Sequence, residues 1–204
     1  MSNWMTSLME QGGYPAIAFL MFLENVFPPI PSEVVMPLAG YQAQRGDLNV
    51  FLVVVAGSLG ALAGATFWFV VARWFGLKGL KTFASRHGRW LTLSPSEIDD
   101  ADAWFDEHGH KAVFFGRLVP GVRSLISVPA GITGMSTTRF LIYTTAGTTL
   151  WTALLTGAGW MLGANYSQIS TWLGPMSNVV VAGIAVWYVW RVATFSPGEG
   201  QESS

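Results

Sequence analysis

The most constraining feature of the chain is a run of uncharged, mostly apolar residues, Val50 to Ala72, long enough to cross a lipid bilayer. Its 23 residues include no charge, asparagine, glutamine or histidine. As a helix it would be roughly 35 Å long, which exceeds the ~30 Å hydrocarbon core of a membrane. Two more uncharged runs follow, at Phe140–Ala164 and Trp172–Trp190. We therefore predict three transmembrane helices.

Composition supports a membrane location and excludes several other classes. Only 11% of the residues are charged, against about 25% in a typical soluble domain. The absence of cysteine excludes disulfides, thiolate nucleophiles and cysteine-ligated metals. A net charge of −1 offers no basic surface for nucleic acid.

Two further apolar segments, 15–44 and 112–135, are interrupted by helix-breaking residues. The first contains Pro28, Pro29 and Pro31, and the second contains Pro120 followed by Gly121. Proline cannot continue a helix without losing a backbone hydrogen bond. In lipid, broken backbone persists only where protein or a wet cavity surrounds it. We predict that each segment is a re-entrant hairpin of two half-helices.

Each broken segment precedes a full span, so the chain reads as two similar halves. Paired broken segments of this kind indicate the substrate site of a transporter. The predicted fold is an all-α integral membrane protein with an inverted repeat and one more transmembrane helix at its C-terminal side. The predicted parts are a first repeat (14–75), a cytoplasmic amphipathic connector (76–110), a second repeat (111–163), an external linker with the last transmembrane helix (164–195) and a disordered tail (196–204).

Basic residues set the predicted orientation. Five of them follow the first span closely, which places the connector in the cytoplasm by the positive-inside rule. The N-terminus is then external and the C-terminus cytoplasmic. Within the connector, Ser94 and Pro95 predict the start of a helix and Gly109 its end. The histidines lack ligand spacing with the acids of this helix, so we predict no metal site, and no cofactor is indicated.

Four ionisable residues lie inside the broken segments: Glu24 and Glu33 in the first, Arg117 and Arg123 in the second. Each costs roughly 2.5–3.5 kcal/mol at the centre of a membrane helix. One interpretation is that they only neutralise each other in a buried network. The other is that Arg117 and Arg123 bind a phosphate headgroup through paired N–H donors. Glu24 and Glu33 would then be counter-charges and proton carriers.

The motifs resemble those of the DedA family of bacterial inner-membrane proteins, which is related to eukaryotic VTT-domain proteins. The resemblance covers Tyr14 to Gly163 and is carried by FLENVFPPIPSE at 22–33, FDEHGHKAVFFGRLVPGVR at 105–123, AGITGM at 130–135 and RFLIY at 139–143. The family signature F-x-x-R-x-x-P-x-x-R falls on Phe114, Arg117, Pro120 and Arg123. Glu24 and Glu33 stand at its two acidic positions.

The resemblance implies a DedA/VTT-like membrane domain over residues 1–163, paired re-entrant hairpins and a place in the bacterial inner (plasma) membrane. It also implies lipid transport, because family members are implicated in flipping undecaprenyl phosphate and in moving phospholipids, with links to the proton motive force. The chain departs from the family pattern where a Gly-Asp step is replaced by Gly64-Ala65 and where Thr144 replaces an asparagine. The lost aspartate weakens the expectation of proton coupling more than that of headgroup binding.

The sequence thus favours a flippase for an anionic lipid headgroup, with undecaprenyl phosphate as the expected substrate and proton coupling as an added feature. The expected partners are membrane lipids and protons, with no nucleic acid; a homo-oligomer is compatible with the sequence. Two alternatives stay open: a proton-coupled antiporter of small ions or drugs, and a phospholipid scramblase or flippase. A lipid phosphatase is disfavoured, and no enzyme activity is expected, because neither arginine has a histidine or aspartate nucleophile beside it.

Overall fold

The computed structural model describes residues 2–27, 32–91, 95–120 and 122–163, and all regular structure in these ranges is helical. The predicted all-helical class is therefore confirmed for this part of the chain. The predicted helix Trp172–Trp190, the tail, Pro28, Pro29, Pro31 and Gly121 lie outside the described residues. The helices are α1 (Ser2–Val26), α2 (Ser32–Gln44), α3 (Val50–Leu91), α4 (Pro95–Gly116), α5 (Val122–Leu125), α6 (Ser127–Ile132) and α7 (Thr137–Leu162).

Helix α3 contains the predicted first span. Its part Val50–Leu80 is, among the described residues, the one helix long and apolar enough to cross a membrane. The helix does not end near Ala72 but continues to Leu91. Gly76 has a φ of 65° within it, a conformation that glycine adopts at little cost. Helix α3 is therefore kinked at Gly76, where the apolar span passes into the more polar continuation.

Neither broken segment is one continuous helix, as predicted. Helix α1 ends at Val26 before α2 begins at Ser32. Helix α4 ends at Gly116, and a turn leads into the short helices α5 and α6. A kink at Gly13, with a φ of 53°, puts Pro15 in the first turn of the following helical stretch, where its missing N–H loses no bond.

The expectation that the connector helix ends at Gly109 is wrong, because α4 runs through this glycine to Gly116. A Cβ on Gly109 would lie 2.6 Å from Cδ1 of Phe105, so the glycine makes room for the Phe105 ring one turn earlier. Val113, one turn later, is fully buried, and its burial favours continuing the helix. The connector boundary predicted at 76 coincides with the kink in α3, and the boundary predicted at 110 lies within α4. The division into repeats stays a prediction.

Helices α3 and α7 lie side by side and antiparallel. The hydroxyls of Ser58 and Thr152 are 2.8 Å apart in a hydrogen bond. Further along, the rings of Phe69 and Phe140 stack with centroids 4.1 Å apart. Around this pair, α1 and α6 pack on α3, while α2 and α4 pack on α7.

The two broken segments approach the α3–α7 pair from opposite ends. At the Val50 end, the backbone amide of Asn49 donates to the Tyr14 hydroxyl at 2.8 Å. The start of the first segment therefore lies beside the start of α3. At the other end, the rings of His110 and Tyr143 are 5.5 Å apart. The beginning of the second segment therefore lies beside the beginning of α7.

Candidate functional site

A cluster of buried ionisable side chains lies beside the middle of the apolar helix α3. Glu24 belongs to the last turn of α1, Arg117 follows α4, and Arg123 lies in α5. Their exposed fractions are 4%, 2% and 4%. Asn25 and Ser127 are buried with them, and we call these five residues the ion cluster.

The ion cluster joins the two halves of the chain through direct polar contacts. Glu24 Oε1 and Arg123 Nη2 form an ion pair. The Nη1 group of Arg117 donates to the carbonyl of Arg123 and, at 3.5 Å, to Asn25 Oδ1. Its Nη2 group donates to the Ser127 hydroxyl. The fold therefore brings together both arginines predicted from the sequence and one of the two predicted carboxylates, Glu24.

Asn25 fixes the carboxylate side of the cluster. Its Nδ2 donates to Glu24 Oε2 at 3.1 Å and to the Met21 carbonyl at 3.2 Å. The backbone carbonyl of Asn25 accepts a hydrogen bond from Trp68 Nε1 of α3 at 3.1 Å. These bonds satisfy polar groups at the end of α1, where the last carbonyls of a helix lack intrahelical partners.

The arginine side is held by close packing against α7. A Cβ on Gly147 would lie 2.8 Å from the Cβ of Arg117, so this glycine lets Arg117 approach the helix. The guanidinium carbon of Arg117 is 5.9 Å from the centroid of the Phe140 ring, a cation–π distance. The backbone amide of Arg117 bonds to Val113 and Phe114 at the end of α4.

Positive charge exceeds negative charge among the buried residues of the cluster. Two guanidiniums are buried with the single carboxylate of Glu24, which pairs with Arg123. The Nε group of Arg117 is buried and has no hydrogen-bond acceptor among the described residues. A buried charge without a partner is costly, so this arrangement favours the binding of an anion.

The fourth predicted residue, Glu33, is placed differently. It lies in the first turn of α2 and is only partly buried. Within the described ranges it forms no ion pair with either arginine. Pro120 lies in the exposed turn before α5.

Sequence reasoning missed Asn25 and Ser127. Uncharged polar residues occur in many membrane helices, so neither is distinctive by its type. The adjacency of Asn25 to Glu24 was the available signal. Ser127 is brought to Arg117 only by the turn between α4 and α6.

Comparison with known proteins places the chain in a family. A model of the VTT domain matches residues 30–161. Protein DedA of Escherichia coli K12 is 30% identical over 155 residues, which cover 74% of this chain and 68% of that protein. The chain belongs to the DedA family of bacterial membrane proteins.

Other relatives align over nearly the whole chain. Undecaprenyl phosphate transporter A of Staphylococcus aureus is 32% identical over 190 residues, 92% of this chain and 94% of that protein. A Lactococcus lactis protein named alkaline phosphatase-like protein is 38% identical over 196 residues, 96% of this chain and 92% of that protein. No solved structure matches the chain.

Proposed function

We propose that the chain carries the phosphate headgroup of an anionic lipid across the membrane and that its substrate is undecaprenyl phosphate. The observation that carries the proposal is the excess of buried positive charge in the ion cluster. A phosphate would supply the missing negative charge and accept a hydrogen bond from Arg117 Nε. The name of the S. aureus relative supports the choice of lipid.

Guanidinium groups suit this task because they bind phosphate oxygens through paired N–H donors. In the arrangement described, Arg117 is engaged by the Arg123 carbonyl and by Ser127, and Arg123 by Glu24. A phosphate entering the cluster would compete with Glu24 for Arg123. A proton on Glu24 would release Arg123 to the phosphate, which is how proton movement could be coupled to lipid movement.

The proposed architecture is an inverted repeat of two re-entrant hairpins that meet at the ion cluster. Its support is the approach of the two broken segments from opposite ends of the α3–α7 pair. The lipid tail would stay in the bilayer while the headgroup crosses between the hairpins. A site sized for the headgroup is then sufficient, and no wide pore is needed. In this proposal Glu33 is a second proton carrier.

Transport by variants of the two arginines tests the proposal. We expect Arg117→Lys and Arg123→Lys to lower undecaprenyl phosphate translocation in vesicles at least about tenfold, since one ammonium cannot replace a paired guanidinium contact. Arg45→Lys is the matched control, because Arg45 is exposed and pairs with Asp47 at 3.8 Å. Unimpaired transport by both lysine variants of the cluster would refute the headgroup role.

The same vesicles separate transport from the competing functions. We propose transport without hydrolysis, so lipid phosphate should cross without release of inorganic phosphate. Release by the purified chain would instead agree with the name of the L. lactis relative. Cation-driven proton flux without lipid movement would favour an antiporter.

A further inference from the structure

A cavity of about 190 Å³ lies at the Thr137 end of α7, and no residue of the ion cluster lines it. Its walls come from α4, from the connection between α6 and α7, and from the first turns of α7. His110 and Arg139 face it together with Thr133 and Ser136. The volume is several times the ~30 Å³ share of one water in the liquid, so a tetrahedral oxyanion fits.

The charges around the cavity favour an anion. None of the described residues that line it is acidic. Arg139 is exposed and forms no ion pair within the described ranges. The nearby carboxylate of Glu107 lies 3.8 Å from His108, and neither residue lines the cavity.

The wall of the cavity is held in place by a second arginine. Arg73, from α3, donates to the Met135 carbonyl at 3.3 Å and to the Thr137 hydroxyl at 3.1 Å. These bonds fix the connection that carries Ser136 to α7. Arg73 of α3 thus holds the wall of a cavity that lies between α4 and α7.

Consecutive residues of α7 connect the cavity to the ion cluster. Arg139 directly precedes Phe140, whose ring lies under the guanidinium of Arg117. We propose that the cavity is a second phosphate site, in which Arg139 and His110 bind a phosphate monoester at the Thr137 end of the molecule. The inference rests on the proposed function in one respect: a headgroup leaving the ion cluster toward this end would meet the cavity next. The same chemistry would bind free phosphate.

Histidine NMR on the full-length protein in detergent micelles tests the site. Inorganic phosphate and farnesyl monophosphate are titrated at constant pH and ionic strength, with chloride as the reference anion. We expect the His110 ring signals, assigned with His110→Gln, to shift with saturation. Arg139→Gln should weaken the response at least about tenfold, the loss expected for a charge-assisted hydrogen bond, while Arg45→Gln leaves it unchanged.

The two probes distinguish the sources of the phosphate group. A response to both, or to inorganic phosphate alone, supports a site for phosphate itself, and a response to farnesyl monophosphate alone supports a lipid headgroup site. No response to either probe, or a response insensitive to Arg139→Gln, overturns the inference. The response should persist in Arg117→Gln, so this site and the proposed transport role of the cluster can fail separately.

Discussion

Glu24 is the residue on which the charge balance of the ion cluster depends most, because it is the one carboxylate buried with two guanidiniums. All three side chains are at most 4% exposed. The carboxylate of Glu24 faces Arg123, and Asn25 orients it. The charged members were predictable because charges stand out in apolar segments. Asn25 and Ser127 were not, since their roles depend on contacts across the fold. Nor could the sequence predict that Glu24, rather than Glu33, pairs with Arg123.

At the residue scale we predict that Glu24→Gln destabilises the protein more than Glu33→Gln does. Removing the one carboxylate of the ion cluster leaves its two buried cations without a counter-charge, a loss of about 3 kcal/mol. Glu33 is partly buried and unpaired among the described residues, so its neutralisation should have little effect. Unfolding in detergent measures both variants. Equal stability of the two would contradict the pairing.

At the element scale, the main helix contacts of one half have counterparts in the other half. Helix α1 on α3 corresponds to α4 on α7, and α6 on α3 corresponds to α2 on α7. Glycines allow these close contacts: a Cβ on Gly60 would overlap the Ala18 carbonyl, and one on Gly159 the Pro37 carbonyl. The helices themselves could be predicted from uncharged runs and breaks. Their partners could not, because glycine spacing does not say which helix approaches.

The packing of α2 on α7 predicts opposite effects for two glycines of one helix. Gly159→Ala should destabilise the fold by about 1–3 kcal/mol, since the added methyl group would overlap backbone. A Cβ on Gly157 would meet no atom of the described residues within 4 Å, so Gly157→Ala should be neutral or stabilising by up to about 1 kcal/mol. Thermal unfolding of both variants is the measurement. Similar losses in both would contradict the assigned contact.

At the scale of the whole molecule, the two broken segments approach the α3–α7 pair from opposite ends, and the inverted topology expected from the basic residues stays a prediction. The end of the connector helix could not be predicted from the sequence, because α4 continues through Gly109. A glycine inside a helix and a glycine at its end look alike in sequence. The burial of Phe105 and Val113 is what shows that Gly109 lies inside α4.

The topology predicts which introduced cysteines share a side of the membrane. Gln11→Cys and Asp47→Cys, both at exposed positions, should react with an impermeant thiol reagent from one side. Lys111→Cys and Thr138→Cys, also at exposed positions, should react from the other. The unsubstituted chain is the control, since it has no cysteine. Opposite sides within either pair would rule out a re-entrant segment there.

The central claim is that buried positive charge in the ion cluster selects a lipid for its phosphate. The most direct measurement compares undecaprenyl phosphate with uncharged undecaprenol in vesicles that contain the purified wild-type chain. We expect protein-dependent crossing of the phosphate lipid and none above background for the alcohol. Equal crossing of both lipids, or no crossing of the phosphate lipid, would contradict it.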